Sequence, residues 1–385
     1  MTNKDFSNPD LSLQRTPLHG LHLERGARMV PFAHYEMPVS YPPGVLKEHL
    51  HTRAASGLFD ISHMGQIALW PKSGKLADAA HALERLVPMD ILGLEPGRQC
   101  YAYFTNERGG ILDDLMVANM EDHLLLVVNA ARKGDDERHL LAHFTDQCRV
   151  ERLDRALVAL QGPKSEAVLA SFAPECSRMR FMDVHRRNVM GAECIIARSG
   201  YTGEDGFEIS VPSDIAREIA EALLENTDVE LTGLGARDSL RLEAGLCLYG
   251  SDIDETTTPI EAGLTWAMQK SRRRGGDRAG GFPGAAALLQ QIVQGAARHR
   301  VGLRPEGRAP IRNGTLLFAD QDASEAAGSV TSGGFGPSVD APIAMGYLPP
   351  ALAALRTTVY AEVRGKRLPV SVVELPFIAP NHKRS

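Results

Sequence analysis

The chain has 385 residues, more than one hydrophobic core usually supports, so two or three domains are expected. Hydrophobic residues make up 43% and charged residues 23%, which is typical of soluble globular proteins. The net charge of −6 argues against nucleic acid as a partner, since phosphates bind to positive surfaces. No apolar run approaches the about 18 to 20 residues that span a membrane, and the polar N-terminal stretch resembles no signal or transit peptide. We therefore expect a cytoplasmic protein that binds neither membranes nor nucleic acid.

The cysteines and histidines give no metal or redox signature. Five cysteines are spread along the chain, and no two have the Cys-x-x-Cys spacing, which predicts reduced and mostly buried thiols. His49 and His51 do not share a helical face, while His139 and His143 have no evident third ligand. We predict no metal site.

The first two thirds of the chain mix short helices with strand-like runs. The clearest strands are predicted at residues 66–70, 123–129, 156–160 and 194–198. The stretch 200–211 contains two internal glycines, which predicts a sharp turn that leads into a strand.

Helices are predicted further along the chain. The apolar spacing in residues 214–225 predicts a helix with Ser213 as its N-cap, and a second helix is predicted at residues 236–244. Five glycines and a proline in residues 275–284 predict a loop. A helix is predicted to follow at residues 285–297.

The last part of the chain has a different pattern of residues. Short β-rich runs alternate with turn signals, and strands are predicted at residues 300–303, 315–319, 328–332, 343–347, 358–363 and 368–373. This spacing is typical of a small β-barrel. The fold class is therefore α+β, with an α+β body at residues 15–285 and a C-terminal barrel domain at residues 298–380.

A pair of acidic residues, Asp113 and Asp114, follows the turn that Gly109 and Gly110 permit. Consecutive side chains on an extended segment point to opposite faces. One carboxylate can therefore enter a pocket, while the other caps a turn or meets water. The pattern alone does not tell which is which, and acidic pairs near turns are common in proteins without catalytic roles.

A second acidic group, formed by Glu204, Asp205 and Glu208, lies beside Tyr201. Glu208 falls in the strand-like part, where its carboxylate can point inward and accept two hydrogen bonds from a ligand. Without further context, a solvated acidic hairpin is the preferred interpretation of the same residues.

Two groups of basic residues stand out. Arg237 and Arg241 lie one helical turn apart, which suits either a ligand carboxylate or an ordinary salt-bridged helix face. Residues 270–274 form the one concentrated basic run. This run is interpreted as a solvated loop that can also dock an acidic partner.

Several strings along the chain resemble the glycine cleavage system T-protein (aminomethyltransferase) family. The resemblance extends from about residue 16 to residue 380, and all the strings occur in the family's order. They are MP at 37–38, GLFDISHMG at 57–65, TNERGGILDD at 105–114, LQGP at 160–163, SGYTGEDGFE at 199–208, ARDSLRLEAGLCLYG at 236–250, VTSG at 330–333 and AMGY at 344–347.

The resemblance implies a three-domain cloverleaf around a central channel that binds folate. It makes residues 15–285 the folate-binding catalytic region, formed by two interwoven α+β subdomains. It assigns the catalytic aspartate to Asp114, the second member of the pair. The implied folate contacts are Tyr101, Tyr201, Glu208, Arg237 and Trp266. Aromatic rings suit the flat pterin, and a carboxylate suits its amino-pyrimidine edge.

The implied reaction moves a one-carbon unit from aminomethyl-dihydrolipoyl H-protein to tetrahydrofolate and releases ammonia. The implied partners are therefore lipoylated H-protein and tetrahydrofolate as co-substrate, and a monomer is expected. The basic run at residues 270–274 is the candidate contact for the H-protein.

Two positions depart from the family pattern. His34 stands where the family usually has glycine, so the local backbone either differs or tolerates a side chain. His382 stands where relatives often have a tyrosine that contacts folate. His382 is kept as a candidate folate contact.

Two other functions fit the same fold. A folate-dependent demethylase acting on another donor is one, although its flavoprotein forms need a nucleotide-binding domain that this length cannot supply. A non-enzymatic folate-binding protein of iron–sulfur maintenance is the other. Such proteins carry a Lys-Gly-Cys-Tyr-x-Gly-Gln-type motif, whereas residues 245–252 read GLCLYGSD, which indicates a buried thiol at Cys247.

Overall fold

The computed structural model describes residues 13–144 and 146–384. None of the helices in these ranges is long and apolar enough to cross a lipid bilayer. Eight α-helices occur in the described ranges: α1 (His19–Glu24), α2 (Val45–Ala54), α3 (Leu76–Leu83), α4 (Lys133–Phe144), α5 (Ser165–Ala170), α6 (Ala216–Leu224), α7 (Leu234–Glu243) and α8 (Ala285–Gln294).

The strands build a hairpin, two larger sheets and a barrel. They are β1 (Arg28–Phe32), β2 (Tyr35–Ser40), β3 (Ser56–Asp60), β4 (Gly65–Pro71), β5 (Gln99–Thr105), β6 (Ile111–Asn119), β7 (Leu124–Val128), β8 (Cys148–Arg152), β9 (Arg155–Gln161), β10 (Val184–Val189), β11 (Ala192–Ala197), β12 (Gly206–Pro212), β13 (Val229–Leu231), β14 (His299–Pro305), β15 (Leu316–Phe318), β16 (Gly328–Gly336), β17 (Ala341–Leu348), β18 (Thr358–Val363) and β19 (Lys366–Val373).

The first large sheet has five antiparallel strands in the order β5-β6-β7-β4-β8. The predicted strands at 66–70 and 123–129 are β4 and β7 of this sheet, so both predictions are confirmed. Helices α3 and α4 contribute buried residues such as Leu83 and Phe144 to the core against the sheet. Strand β6 lies inside the sheet, between β5 and β7, and both of its edges are therefore hydrogen-bonded.

The second large sheet has six strands in the order β10-β11-β12-β9-β3-β13. The predicted strands at 156–160 and 194–198 are confirmed as β9 and β11. The turn that precedes β12 is also confirmed, and Gly206 is required there because a Cβ at this position would lie 2.4 Å from the Leu160 carbonyl oxygen. This sheet has its own hydrophobic core, to which α5 and α6 contribute.

The C-terminal strands close into a barrel in the order β14-β17-β16-β15-β18-β19. All six strands predicted from residue 300 onward are present, and their inward-facing residues form a third core. The predicted α+β class with a C-terminal barrel is therefore confirmed. Alternating apolar residues between turn signals fix such strands locally, which explains why the sequence reveals them.

The predicted helices exist, but their ends differ. Helix α6 begins at Ala216, and the Ser213 hydroxyl donates to the Asp154 carboxylate (3.2 Å), so the predicted N-cap is wrong. Helix α7 begins at Leu234, two residues earlier than predicted. Helix α8 ends at Gln294 because Gly295 follows with a φ of 87°. Residues 275–284 form a loop, as predicted.

The backbone at His34 adopts the conformation that glycine prefers. Ala33 and His34 form the two-residue loop between β1 and β2, with φ angles of 47° and 66°. Such two-residue hairpin loops require positive φ at both positions, which favours Asn and Gly. The chain therefore tolerates a side chain at position 34 without a change of turn.

Replacing His34 by glycine is expected to stabilise the protein. The left-handed conformation costs a non-glycine residue about 1 kcal/mol, part of which the greater freedom of glycine in the unfolded chain offsets. We expect His34→Gly to raise the free energy of unfolding by up to about 1 kcal/mol, measured as a higher urea midpoint. The matched control His34→Ala keeps the strained conformation. If the two variants have equal midpoints, the turn is not strained.

Candidate active site

The carboxylate of Asp114 is held by two hydrogen-bond donors. The Tyr101 hydroxyl on the neighbouring strand β5 donates to Oδ2 (2.9 Å), and the Asn129 side-chain amide donates to Oδ1 (2.8 Å). The turn that leads into β6 requires glycine. Gly109 has a φ of 84°, and a Cβ on Gly110 would lie 1.9 Å from the Glu255 carbonyl oxygen. The carboxylate is thus oriented at both of its oxygens.

Asp113 points to the opposite face of β6 and is fully buried. Its oxygens accept hydrogen bonds from the backbone N–H (3.0 Å) and the side-chain amide (2.9 Å) of Asn129. The predicted alternation of the two side chains is confirmed. The expectation that the carboxylate outside the pocket, here that of Asp113, caps a turn or meets water is wrong. The reason is that β6 is an interior strand, and α4 covers its other face with Asp136.

The surroundings of Asp114 favour its neutral form. Burial is the main cause, and the nearby charge of Asp113 adds to it, so the pKa of Asp114 rises to about 7. The hydrogen bonds from Tyr101 and Asn129 act in the opposite direction. A carboxyl group whose pKa lies near neutral pH and far above its ordinary value is a frequent feature of active sites.

Tyr101 also forms an aromatic pair with Trp266. The two rings stack with their centroids 5.5 Å apart and an interplanar angle of 25°. The Trp266 side chain is 63% exposed, an unusual state for so large an apolar residue. The pair therefore presents an accessible aromatic surface directly beside the hydroxyl that contacts Asp114.

Tyr201, Arg237 and Glu208 form a second group. The Arg237 guanidinium lies 4.8 Å from the centre of the Tyr201 ring, a cation–π geometry. Burial lowers the pKa of Arg237, while the charge of Glu208 opposes that shift. The Nη1 atom of Arg237 is buried and has no hydrogen-bond partner in the described part of the chain. Glu208 accepts a hydrogen bond from the Ser199 hydroxyl (2.9 Å).

Arg241, one turn further along α7, has a different environment. Its guanidinium donates to the carboxylate of Asp252 (2.8 Å) and to the hydroxyl of Ser332 in the barrel (2.9 Å). It is therefore a structural residue that ties α7 to β16. The interpretation as a salt-bridged helix face therefore holds for Arg241. Arg237 remains the candidate to bind a ligand.

The two groups meet at Cys247. The Tyr201 hydroxyl donates to the Cys247 carbonyl oxygen, and the Cys247 thiol lies within electrostatic range of both Tyr101 and Asp114. Burial raises the pKa of this thiol to about 12, and the predicted buried thiol is confirmed. A series of contacts and charge interactions thus links five of the six predicted folate contacts to Asp114, and His382 is the exception.

His382 packs elsewhere. Its ring stacks on Phe181 with centroids 4.0 Å apart, and the adjacent Asn381 donates its backbone N–H to the Gly203 carbonyl oxygen (2.9 Å). Within residues 13–144 and 146–384, no contact joins His382 to Asp114 or Arg237. The C-terminal segment therefore fastens the loop that carries Tyr201, and a direct folate contact of His382 stays a prediction.

The acidic residues next to Tyr201 are not solvated. Glu204 accepts a hydrogen bond from Arg53 (2.9 Å), and Asp205 pairs with the buried Arg198. The interpretation of these residues as a solvated hairpin is therefore wrong, because Arg53, from a distant segment, and Arg198, seven residues before Asp205, pair with the two carboxylates.

The basic run also needs a correction. Arg272 is only 4% exposed and bonds the carboxylate (3.2 Å) and the carbonyl oxygen (2.6 Å) of Glu84. Arg273 donates to the Met268 carbonyl oxygen (2.8 Å). The solvated-loop prediction is wrong for these residues, and only Lys270 and Arg274 remain exposed for a partner.

Sequence reasoning did not find Asn129 or His63. Asn129 follows directly after β7, and a polar residue at the end of a buried strand is the only signal that points to it. His63 is 3% exposed, and its Nδ1 atom has no partner among the described residues. Burial lowers the pKa of His63 to about 3, and the nearby charge of Arg237 acts in the same direction.

The raised pKa of Asp114 has a consequence for stability. A carboxyl whose folded pKa is raised contributes stability that is present below pH 4 and is lost as the pH rises through about 7. Asparagine stays neutral, so we expect Asp114→Asn to raise the melting temperature at pH 8 more than at pH 5. The exposed Asp320→Asn is the control. A gain of equal size at both pH values contradicts the raised pKa.

Comparisons with known proteins agree with this geometry. A family model described as the GCVT N-terminal domain matches residues 18–272, and one described as the glycine cleavage T-protein C-terminal barrel domain matches residues 298–378. The mitochondrial aminomethyltransferase of Dictyostelium discoideum is 41% identical, over 100% of this chain and 97% of the relative. That of Gallus gallus is 43% identical, over 99% of this chain and 96% of the relative.

A solved structure is similar over the full length. The glycine cleavage system aminomethyltransferase T from Bartonella henselae superposes with a TM-score of 0.89 at 47% identity. The similarity covers 97% of this chain and 100% of that one. The order of the sheets and the barrel is thus that of an aminomethyltransferase.

The relatives contradict the expected cytoplasmic location. The proteins of D. discoideum, Flaveria trinervia and G. gallus are all named mitochondrial, so the prediction of a cytoplasmic location is contradicted. The prediction failed because composition and fold do not encode the compartment.

Family models thus match most of the chain, and full-length relatives above 40% identity are aminomethyltransferases. These relatives favour aminomethyl transfer over demethylation and over iron–sulfur maintenance. The chain therefore belongs to the glycine cleavage T-protein (aminomethyltransferase) family of folate-dependent transferases.

Proposed function

We propose that the enzyme transfers the one-carbon unit of aminomethyl-dihydrolipoyl H-protein to tetrahydrofolate. The products are 5,10-methylenetetrahydrofolate, ammonia and dihydrolipoyl H-protein. The observation that carries the proposal is the half-buried carboxylate of Asp114, which is oriented by Tyr101 and Asn129 and has a pKa near 7. Such a group suits a reaction in which positive charge develops beside it.

The surrounding residues fit a folate. The unpartnered Nη1 of Arg237 is a buried donor that lacks an acceptor, and folates carry carbonyl and carboxylate oxygens. Glu208 supplies acceptor oxygens for the amino-pyrimidine edge. The rings of Tyr101, Tyr201 and Trp266 offer flat apolar surface for the pterin and benzoyl rings.

Catalysis in this proposal is mainly orientation and electrostatics. Tetrahydrofolate supplies the accepting nitrogen atoms when it is bound. The carboxylate of Asp114 stabilises the positive charge that develops on the transferred carbon and orients the attacking amine. The hydroxyl of Tyr101 keeps its proton, because burial raises its pKa well above the ordinary value, so it acts as a fixed donor to Asp114.

The lipoylated H-protein docks, in our proposal, near Trp266. The exposed cations Lys270 and Arg274 follow this residue closely in the chain. In a protein of net charge −6, two exposed cations four and eight residues after Trp266 favour an acidic carrier at this place. All the residues of the proposed site come from one chain, so a monomer is sufficient for the reaction.

Asp114→Asn tests the catalytic role. Loss of the negative charge beside the reacting carbon is expected to lower kcat about 100-fold or more, while the Kd of tetrahydrofolate changes little. In the wild type, kcat is expected to fall as the pH drops through about 7 and the carboxylate takes up a proton. The assay follows ammonia and methylenetetrahydrofolate together, with aminomethylated H-protein as donor.

The exposed Asp320→Asn is the control for this experiment, since it removes one carboxylate from the barrel surface. An unchanged kcat in Asp114→Asn removes this residue from the mechanism. Formation of methylenetetrahydrofolate without ammonia contradicts the proposed donor.

Arg237→Ala tests the folate site separately. Removal of a charge-assisted hydrogen bond, typically about 1.5–3 kcal/mol, is expected to raise the Kd of tetrahydrofolate about 10- to 100-fold. The exposed Arg178→Ala is the matched control, and titration calorimetry is the measurement. A normal Kd in Arg237→Ala rules out its contact with folate.

A further inference from the structure

A second pair of carboxyl groups lies on the reverse face of β6, behind Asp114. Asp113 is 0% exposed and Asp136, from α4, is 2% exposed. The two carboxyl groups lie within hydrogen-bonding distance of each other. In the described part of the chain, no lysine or arginine forms a salt bridge with either of them, so the usual means of burying a carboxylate is missing here.

The contact between the two carboxyl groups needs a proton. An ionised carboxylate is only an acceptor, so two of them form a hydrogen bond only when one carries a proton. The Oδ2 atom of Asp136 is buried, and no N–H or O–H donor of the described residues reaches it. The pair therefore holds one proton and one negative charge, as close carboxyl pairs in proteins do.

Asn129 connects this pair to Asp114. Its backbone N–H and its side-chain amide donate to Asp113, and the same amide nitrogen donates to Asp114. Because both carboxyl groups are acceptors on the side of Asn129, the amide must present its N–H groups to them, and the alternative flip is excluded. Asp113 thus determines how Asn129 is oriented, and Asn129 orients Asp114.

Resting on the proposed role of Asp114, we propose that Asp113 and Asp136 are a proton-sharing pair of positioning residues. They fix the amide of Asn129 and set the electric charge behind the catalytic carboxylate. Neither residue contacts the reacting groups. This assigns a role in the reaction to the reverse face of β6 and to α4.

Several other charged and titratable groups lie near Asp113, Asp136 and Asp114. Burial raises the pKa of both Asp113 and Asp136, that of Asp136 to about 7, and the charge of Asp113 raises the pKa of Asp114. The charged and titratable groups that face these three residues are Arg132, Asp135 and Tyr249 behind β6, and Tyr101, Tyr201 and Cys247 in front of it.

The pair has access to solvent protons. A surface cavity of about 470 Å³ lies against α4, and Arg132, Asp136 and His139 are among its lining residues. Burial lowers the pKa of His139 to about 4, so this ring is neutral at physiological pH and adds no charge there. The proton of the pair can therefore exchange without passing through the folate site.

Two isosteric variants are expected to act in opposite directions. In Asp136→Asn the negative charge is confined to Asp113, close to Asp114, so the pKa of Asp114 is expected to rise. In Asp113→Asn the charge moves away to Asp136, so the pKa of Asp114 is expected to fall. Moving one charge by a few Å at an effective dielectric constant of about 20 is expected to change the pKa of Asp114 by about 0.5 or more.

The pKa of Asp114 is measured by NMR titration of aspartate labelled at the carboxyl carbon, with Asp114→Asn used to assign the signal. The acid limb of kcat against pH is recorded in parallel. Asp320→Asn, which removes one exposed carboxylate from the barrel surface, is the control and is expected to leave the pKa of Asp114 unchanged.

Shifts in the same direction in the two variants, or no shift in either, overturn the proposal. If one single variant does not fold, the double variant Asp113→Asn/Asp136→Asn carries no charge at the pair. Its Asp114 pKa must then fall, and an unchanged value overturns the proposal. The NMR titration reports on Asp114 in the absence of turnover. A failure of the proposed catalytic role, seen as full activity of Asp114→Asn, is therefore distinguishable from a failure of the pair.

Discussion

The candidate site depends on burying the negative charge of Asp114 without a cation beside it. In residues 13–144 and 146–384, no lysine or arginine forms a salt bridge with this carboxylate, and its two oxygens are held by the neutral donors Tyr101 and Asn129. A salt bridge would lower the pKa of the group and neutralise its field. Neutral donors orient the carboxylate and leave its charge available to a substrate, at a cost in stability that the raised pKa records.

The two arginines of α7 show the same division between structure and function. Arg241 is saturated by Asp252 and Ser332, and it joins the helix to the barrel. Arg237 is half-buried, and its buried Nη1 atom has no partner in the described part of the chain. Buried polar groups are normally satisfied, so an unsatisfied donor beside an aromatic ring indicates a place for a ligand. The surrounding sheets, each with its own core, hold this donor in position.

Residues on the reverse face of β6, which do not line the proposed folate site, also help to position Asp114. A strand places alternate side chains on opposite faces, so Asp113 and Asp114 are neighbours in sequence but serve different sides of the sheet. Asn129 lies at the end of the next strand, where its amide reaches both. The arrangement lets groups on a helix outside the folate site influence the carboxylate inside it, because electrostatic interactions act through a thin, dry sheet.

The sequence by itself determined the features that depend on neighbouring residues. The six barrel strands follow from local alternation, the turn before Asp114 from Gly109 and Gly110, and the family from ordered strings. Only the tertiary structure decided which charged residues are structural. The partners of Arg241 and Arg272 lie 91 and 188 positions away in the chain, at Ser332 and Glu84, and Asp113 meets helix α4, which follows the next strand. Such distant contacts decide whether a charged residue is buried and which residue it pairs with. Neither can therefore be predicted from the residue's neighbours in sequence.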